Sequence, residues 1–324
     1  MRPITHAQIR ERRRTDRIAI SSPGDFRTMS RTTSFTDDGT SLPYCLDAVR
    51  RRSLYVGGVD ARAAQAAPFY YLHLRRTART LVSVPWEAGA LRPAGRAPIF
   101  LFSPGRCGST LLSAVLSAAG IANVSEPDFY TQLTTAAGAS PLNPWRGAMV
   151  AAVANMGSDL AAALDPVQAP VVKLRAESCR APALLVRPQE RRTLFMTRDF
   201  EAWARSNLRA FRNPPRKTVN KYLRALTALD WLRRNSTCHV VRYEDLLAGP
   251  GAAVRALGDF LGHTIPTDIA RAVMNEDSQE GTPLEQGARG DLPGWQVRFD
   301  ATMALWNSAR LKKARDRLDP GSAG

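Results

Sequence analysis

The sequence predicts a three-layer α/β fold, a parallel sheet carrying a phosphate-type loop (P-loop) with helices on both faces. Three observations predict it. The apolar run Ile99-Phe-Leu-Phe102 ends in a loop holding Pro104, Gly105 and Gly108, and an apolar-periodic stretch at 111–119 follows at once. Further short apolar runs at 121–124, 171–174, 193–197 and 238–241 alternate with helical patterns. Runs of this length read as strands buried on both faces, and their alternation with helices is the pattern of a parallel sheet.

Taken in order, residues 1–40 are polar and rich in Arg, Ser, Thr and Asp, and read as a flexible basic N-terminal segment. Residues 41–97 read as a helical lead-in packing on the core, with helical pieces at 45–49 and 69–74 and a connector at 93–98. Residues 98–324 read as the P-loop domain. After the first strand, the pattern predicts a helix over 147–164 and a short helix over 181–187 that Pro188 stops. A helix over 200–211 follows, then a break at Pro214-Pro215 and a long amphipathic helix over 219–234. The last elements are a helix over 251–261, closed by Gly262, and a basic amphipathic tail over 303–318.

The formal net charge is +16, and the first hundred residues carry 17 basic against 8 acidic side chains. Such a balance attracts anionic ligands. Nucleic acid is not expected, because no helix-turn-helix, zinc-finger or aromatic-basic RNA motif is present. Cys45, Cys107, Cys179 and Cys238 are widely spaced with no C-x-x-C pair, which argues against a metal site and a disulfide framework and fits a cytoplasmic location. No run of 18 apolar residues is seen, so no membrane span is expected. Arg12-Arg13-Arg14 has no apolar stretch behind it, unlike a secretory signal.

The loop after the first strand is the main candidate site. A helix start presents unpaired amides and positive dipole potential, and Gly105 and Gly108 let an anion approach the backbone. Arg106, Cys107, Ser109 and Thr110 complete the loop, with Arg106, Ser109 and Thr110 as side-chain donors. The Lys that an ATPase loop carries after its second Gly is missing, and a plain strand-to-helix connector remains the other reading. Arg198 sits at the carboxyl end of the 193–197 strand, with Ser206 eight residues on. The two could converge on one anion, or be exposed polar residues beside a capping Asp199. Tyr243 directly follows a strand, where its ring could flank a base or simply be half-buried. Arg289-Gly290, with Gly294 and Trp295, lies in a loop that could close over a ligand or lie on the surface.

Together these pieces resemble the sulfotransferases that use 3′-phosphoadenosine 5′-phosphosulfate (PAPS), over roughly residues 98–300. Arg106-Cys107-Gly108-Ser109-Thr110 is similar to the family's 5′-phosphosulfate loop, K-T-G-T-T or R-S-G-S-T. Arg198 and Ser206 match the Arg-and-Ser pair that holds the 3′-phosphate, at the same spacing. Tyr243-Glu244-Asp245-Leu246 with Pro250 resembles the Y-E-D-L-x-x-x-P element near the adenine. Arg289-Gly290 and Gly294-Trp295 are similar to the R-K-G-x-x-G-D-W loop, without its middle Lys and with shifted spacing.

The resemblance implies PAPS as co-substrate, no metal, and sulfuryl transfer to a hydroxyl or amine of a small-molecule or glycan acceptor; an oligomer is possible. Arg106 would neutralise charge on the leaving phosphate, and Lys173 would touch the transferring group. Many relatives carry a catalytic His in a K-T-H element, but here Arg175 stands at that position and cannot act as a base. Glu126, in Ser125-Glu126-Pro127-Asp128, is the preferred general base, against a reading as a helix-start acid. Asp128 is the alternate; His73 remains open, and His239 reads as a packed or surface strand residue. Two other functions stay open: a P-loop kinase or NTPase, and a non-catalytic anion or nucleic-acid binder.

Overall fold

The computed structural model describes residues 20–26, 31–32, 41–91, 97–139, 143–165, 167–186, 191–275, 293–309 and 311–312. Its centre is a five-stranded, all-parallel sheet in the order β6-β7-β5-β8-β9. The strands are β5 (Ile99–Phe102), β6 (Asn123–Ser125), β7 (Val171–Lys173), β8 (Arg192–Thr197) and β9 (Thr237–Arg242). The predicted α/β class and the parallel sheet are therefore what the chain forms.

Side-chain alternation along these strands divides the core in two. Phe100, Phe102, Val124, Val172, Leu174 and Phe195 pack into one layer. Ile99, Leu101, Val171, Leu194, Met196 and Val241 pack into the other. The helix after β5 (Ser109–Ala118) contributes Leu112, Val115 and Leu116 to the second layer. The helix Arg146–Leu164 contributes Met149, Val153, Met156 and Leu160 to the first. That helix is also long and apolar enough to cross a membrane by length and composition, which the sequence reading did not expect. Its buried face lies in the core.

The lead-in departs most from expectation. Of the piece at 45–49 read as helix, 45–47 belong to strand β2 (Leu42–Asp47) and 48–49 to the turn after it; β2 pairs antiparallel with β3 (Arg52–Gly57), which pairs antiparallel with β4 (Thr80–Pro85). With β1 (Arg31–Thr32), parallel to β4, these form a separate four-stranded sheet. Every residue of β2 is buried, so it lacks the polar-apolar alternation that marks a strand. Pro43 is tolerated because the register shifts between Pro43 and Cys45. The expected helix at 69–74 is present as Tyr70–Thr77. The short helix expected over 181–187 is one 3₁₀ turn, Pro182–Leu184. Pro214-Pro215 starts a helix (Pro215–Asn235), since a proline fits the first helical position, where no amide partner is needed.

Buried polar pairs fasten the lead-in to the main sheet. The Tyr55 hydroxyl donates to Asp159 Oδ2 at 2.7 Å, and the Leu91 amide to Asp159 Oδ1 at 2.9 Å. Asp128 accepts from the Ser21 amide at 2.7 Å and its hydroxyl at 3.0 Å, and pairs with Arg175 Nη1 at 2.9 Å. The expected flexible segment 1–40 lies largely outside the described residues; Ser21, within it, is anchored.

Removing one partner of a buried ion pair leaves the other charge uncompensated, at a cost of about 3–5 kcal/mol. Asp128→Ala is expected to destabilise the protein by about that much in urea unfolding. Asp128→Asn, which can still accept from Ser21, is expected to cost less; equal costs would refute the Ser21 contribution.

Candidate functional site

The chain lays down β5 first, then β6 and β7 on one side and β8 and β9 on the other. The carboxyl end of β5 is thus the point where strand order reverses, the place where open α/β sheets hold ligands. The loop leaving it turns sharply: Gly105, Arg106 and Gly108 all have positive φ, at 70°, 60° and 89°. Gly108 is the N-cap residue of helix Ser109–Ala118 and no side chain caps that helix. The loop and helix start therefore form a concave donor surface of the kind that binds anions.

Two aromatic side chains hold this loop in shape. The Trp203 indole N–H donates to the Gly105 carbonyl at 2.6 Å. The Tyr243 ring lies so close to Gly108 that a Cβ there would sit 2.3 Å from its Cδ2. Trp203 is fully buried within an aromatic group with Phe200 (5.8 Å between centroids) and Tyr222 (4.8 Å). Cys107 is likewise buried, so its thiol is closed to a ligand.

Arg106, Lys173 and Glu126 border the loop. Arg106 Nε donates to Ser206 Oγ at 3.3 Å. Lys173, at the end of β7 and 3 % exposed, donates from Nζ to Thr110 Oγ1 at 3.0 Å and lies 3.4 Å from Glu126 Oε1. The register pairs Ser125 with Lys173, which brings Glu126 beside Lys173; the Glu126 amide donates to the Lys173 carbonyl at 2.7 Å. Ser113 reinforces the arrangement, donating to Asn123 Oδ1 at 2.6 Å and lying 3.1 Å from Ser125 Oγ. Glu126 has φ 63°, and it and Arg106 are two of the three non-glycine residues with positive φ among those described. Such strain gathers where the surrounding structure imposes a functional geometry.

On the opposite flank, the Arg198 guanidinium lies over the Tyr243 ring at 4.4 Å. The Tyr222 hydroxyl donates to the Arg198 carbonyl. Arg198 Nε is buried with no partner among the described residues, and so is Glu244 Oε2. Glu244 Oε1 accepts from the Asp199 amide at 2.9 Å, while Asp199 caps helix Phe200–Ala210 through the Ala202 amide. Ser206, on that helix, meets Arg106. Arg198 and Ser206 thus both border the loop, one through Tyr243 and one through Arg106.

The remaining candidates sort by burial. Asp128 is 0 % exposed; burial pushes its carboxyl up, opposed by Arg175 and Ser21. It is closed off as a base. Arg175 is committed to Asp128, with Glu177 Oε2 at 3.8 Å. His239 stacks on Phe260 at 5.1 Å, and burial lowers its pKa. Arg289 and Gly290 lie outside the described residues. Trp295, from the same expected loop, lies beneath the guanidinium of Arg209 (4.5 Å), on the helix that carries Ser206. Among the described residues, no group of three or more His, Cys, Asp or Glu side chains could hold a metal ion.

Phe69 places its ring 5.6 Å from Lys173 Nζ. Two contributors escaped the sequence reading: Trp203 fixes the loop, and Lys221 Nζ would lie 3.8 Å from a Cβ on Gly105. The only signal for Lys221 was its rarity, as one of five lysines among 45 basic residues.

No protein-family profile matches the sequence, and no curated protein matches it. Among solved structures, the chain is similar to the sulfotransferase domain of the Synechococcus PCC 7002 olefin synthase, at 16 % identity and TM-score 0.42, over 73 % of this chain and 98 % of that one. It is similar to the sulfotransferase domain from the curacin biosynthetic pathway at 15 % identity and TM-score 0.40, over 71 % and 99 %. A retinol dehydratase in complex with androsterone and inactive cofactor PAP gives 14 % identity and TM-score 0.40, over 71 % and 82 %.

The Tyr243–Gly108 contact yields a direct test. Gly108→Ala adds left-handed backbone strain and a clash with the ring, together roughly 2–5 kcal/mol. Gly120 has φ 72° with nothing within 4 Å of its Cβ position, so Gly120→Ala is expected to cost only about 1–2 kcal/mol. Urea unfolding measures both; equal costs would mean that Tyr243 does not wedge the loop.

Proposed function

We propose that the protein is a sulfotransferase that moves a sulfuryl group from PAPS to a hydroxyl or amine. The observation that carries this reading is the Lys173–Thr110–Glu126 cluster beside a loop of positive-φ residues at the carboxyl end of β5. A cation, a hydroxyl and a carboxylate meet there at the edge of an anion-binding turn. Arg198, with an unpartnered buried Nε above Tyr243, suits a second phosphate beside an aromatic platform. Two separated anion sites with a ring between them suit a nucleotide phosphorylated at both ends.

In this reading the loop amides and Arg106 hold the 5′-phosphate, and Arg198 with Ser206 holds the 3′-phosphate. Tyr243 flanks the adenine, and Arg289 and Gly290 complete the nucleotide site. Lys173 and Thr110 face the transferring group. The acceptor oxygen or nitrogen attacks sulfur, and the bond from sulfur to the bridging phosphate oxygen breaks. Glu126 takes the acceptor's proton, and adenosine 3′,5′-bisphosphate leaves with the electrons of the broken bond. Catalysis is then positioning and charge neutralisation, with the Glu126 carboxylate as general base.

Calorimetric titration with adenosine 3′,5′-bisphosphate tests the nucleotide site. Wild type is expected to bind it at micromolar affinity and ATP weakly, and Arg198→Ala to lose about tenfold or more. No binding, or a preference for ATP, would return the chain to the kinase-like or non-catalytic readings. With an acceptor in hand, Glu126→Gln is expected to lower kcat by about 10²–10⁴-fold while leaving bisphosphate affinity unchanged.

A further inference from the structure

A basic cavity lies beside the loop. Its volume is about 430 Å³, and it lies between the 3₁₀ turn Ala176–Arg180 and the first half of helix Pro215–Asn235. Arg180, Arg216, Lys217, Lys221 and Arg224 line it, with Glu177 as the single carboxylate. Among the described residues none of the five cations makes an ion pair or hydrogen bond. Packing them together costs electrostatic energy that the one carboxylate offsets in part and a bound anion or solvent offsets further.

The cavity is joined to the candidate site through Lys221. Its Nζ would lie 3.8 Å from a Cβ on Gly105, and Ala176 Cβ would lie 3.4 Å from the same point. The loop thus lies against Lys221 and Ala176, two of the residues that line the cavity. Lys221 also feels the Glu126 carboxylate: burial lowers its pKa, while Glu177 and, more weakly, Glu126 raise it. Burial, followed by Arg180, lowers that of Arg224, more than the single carboxylate Glu177 offsets. Lysine is scarce in this chain, yet Lys173, Lys217 and Lys221, three of its five, surround the loop and this cavity.

We infer that this cavity holds an anionic group of the acceptor, a phosphate, sulfate or carboxylate, and so selects an acceptor that is already charged. The inference rests on the sulfotransferase reading for what the acceptor does, but the cavity itself stands on its cations. Holding one end of the acceptor there fixes the other end relative to Glu126, so the cavity acts through affinity and orientation. A neutral acceptor would leave the excess positive charge of the cavity without an anion and is disfavoured.

The test separates this inference from the nucleotide reading. Protein saturated with adenosine 3′,5′-bisphosphate, so that its phosphate sites are filled, is titrated with glucose 6-phosphate, galactose 6-sulfate, glucuronate and uncharged glucose at physiological ionic strength. At least one charged sugar is expected to bind and glucose not to; which one binds identifies the anion. The Lys217→Ala/Arg224→Ala double variant is expected to raise that Kd by about tenfold or more, with bisphosphate affinity unchanged. Binding by no charged sugar, equal binding of glucose, or an unchanged Kd in the double variant would overturn the inference. If the bisphosphate itself does not bind, the nucleotide reading fails alone. The same sugars, titrated into the free protein and its double variant, then decide the cavity by the same criteria.

Discussion

The left-handed turn at Gly105–Gly108 is the constraint on which the rest of the site depends. Three positive-φ residues within four positions form a turn that an isolated segment would not hold. It persists because Trp203 captures the Gly105 carbonyl from one side while Tyr243 fills the space above Gly108 from the other. Trp203 in turn packs in the aromatic group with Phe200 and Tyr222, and Trp306 stacks on Phe200 at 3.6 Å. Helices from 200 to 306 thus converge on one loop, and their aromatic packing sets the shape of a site that consists largely of backbone.

The two flanks of the loop divide the electrostatic work. Lys173 is held by Thr110 and Glu126, a compact ammonium fixed at one point. Arg198 spreads a planar cation over a ring, and Arg106 reaches Ser206. These are different uses of charge: a point cation suits a group that moves, and a flat, forked one suits a phosphate that stays. Arg175, a further cation nearby, is paired with Asp128 and supports the backbone that carries Glu126.

The central sheet and the loop were legible because both leave a one-dimensional signature: short apolar runs, and glycines between a strand and a helix. The neighbourhood of Lys173 and Glu126 was less legible, because the two meet only through the β6–β7 register, and strand order is not written in any local pattern. The lead-in strands were misread for a physical reason. β2 is covered on both faces, so its residues carry no alternation, and a buried strand and a buried helix then look alike. Trp203 and Lys221 were missed because each sits on an ordinary amphipathic helix, where only the three-dimensional neighbour reveals that the side chain faces the loop.

The fastening of Ser21 to Asp128 also sets an order of events on the ribosome. The two residues are 107 positions apart, and Tyr55 and Asp159 are 104 apart. At about 5–20 residues per second, the lead-in waits roughly 5–20 s after its own synthesis before its buried partners exist. During that interval β2 lacks the helices Asp128–Ala139 and Arg146–Leu164 that pack on it, although its Leu42 and Cys45 are fully buried in the finished protein. Contacts of such sequence separation form late. The first third of the chain is therefore made as an apolar sheet without its cover, and its solubility during synthesis depends on how quickly the next hundred residues arrive.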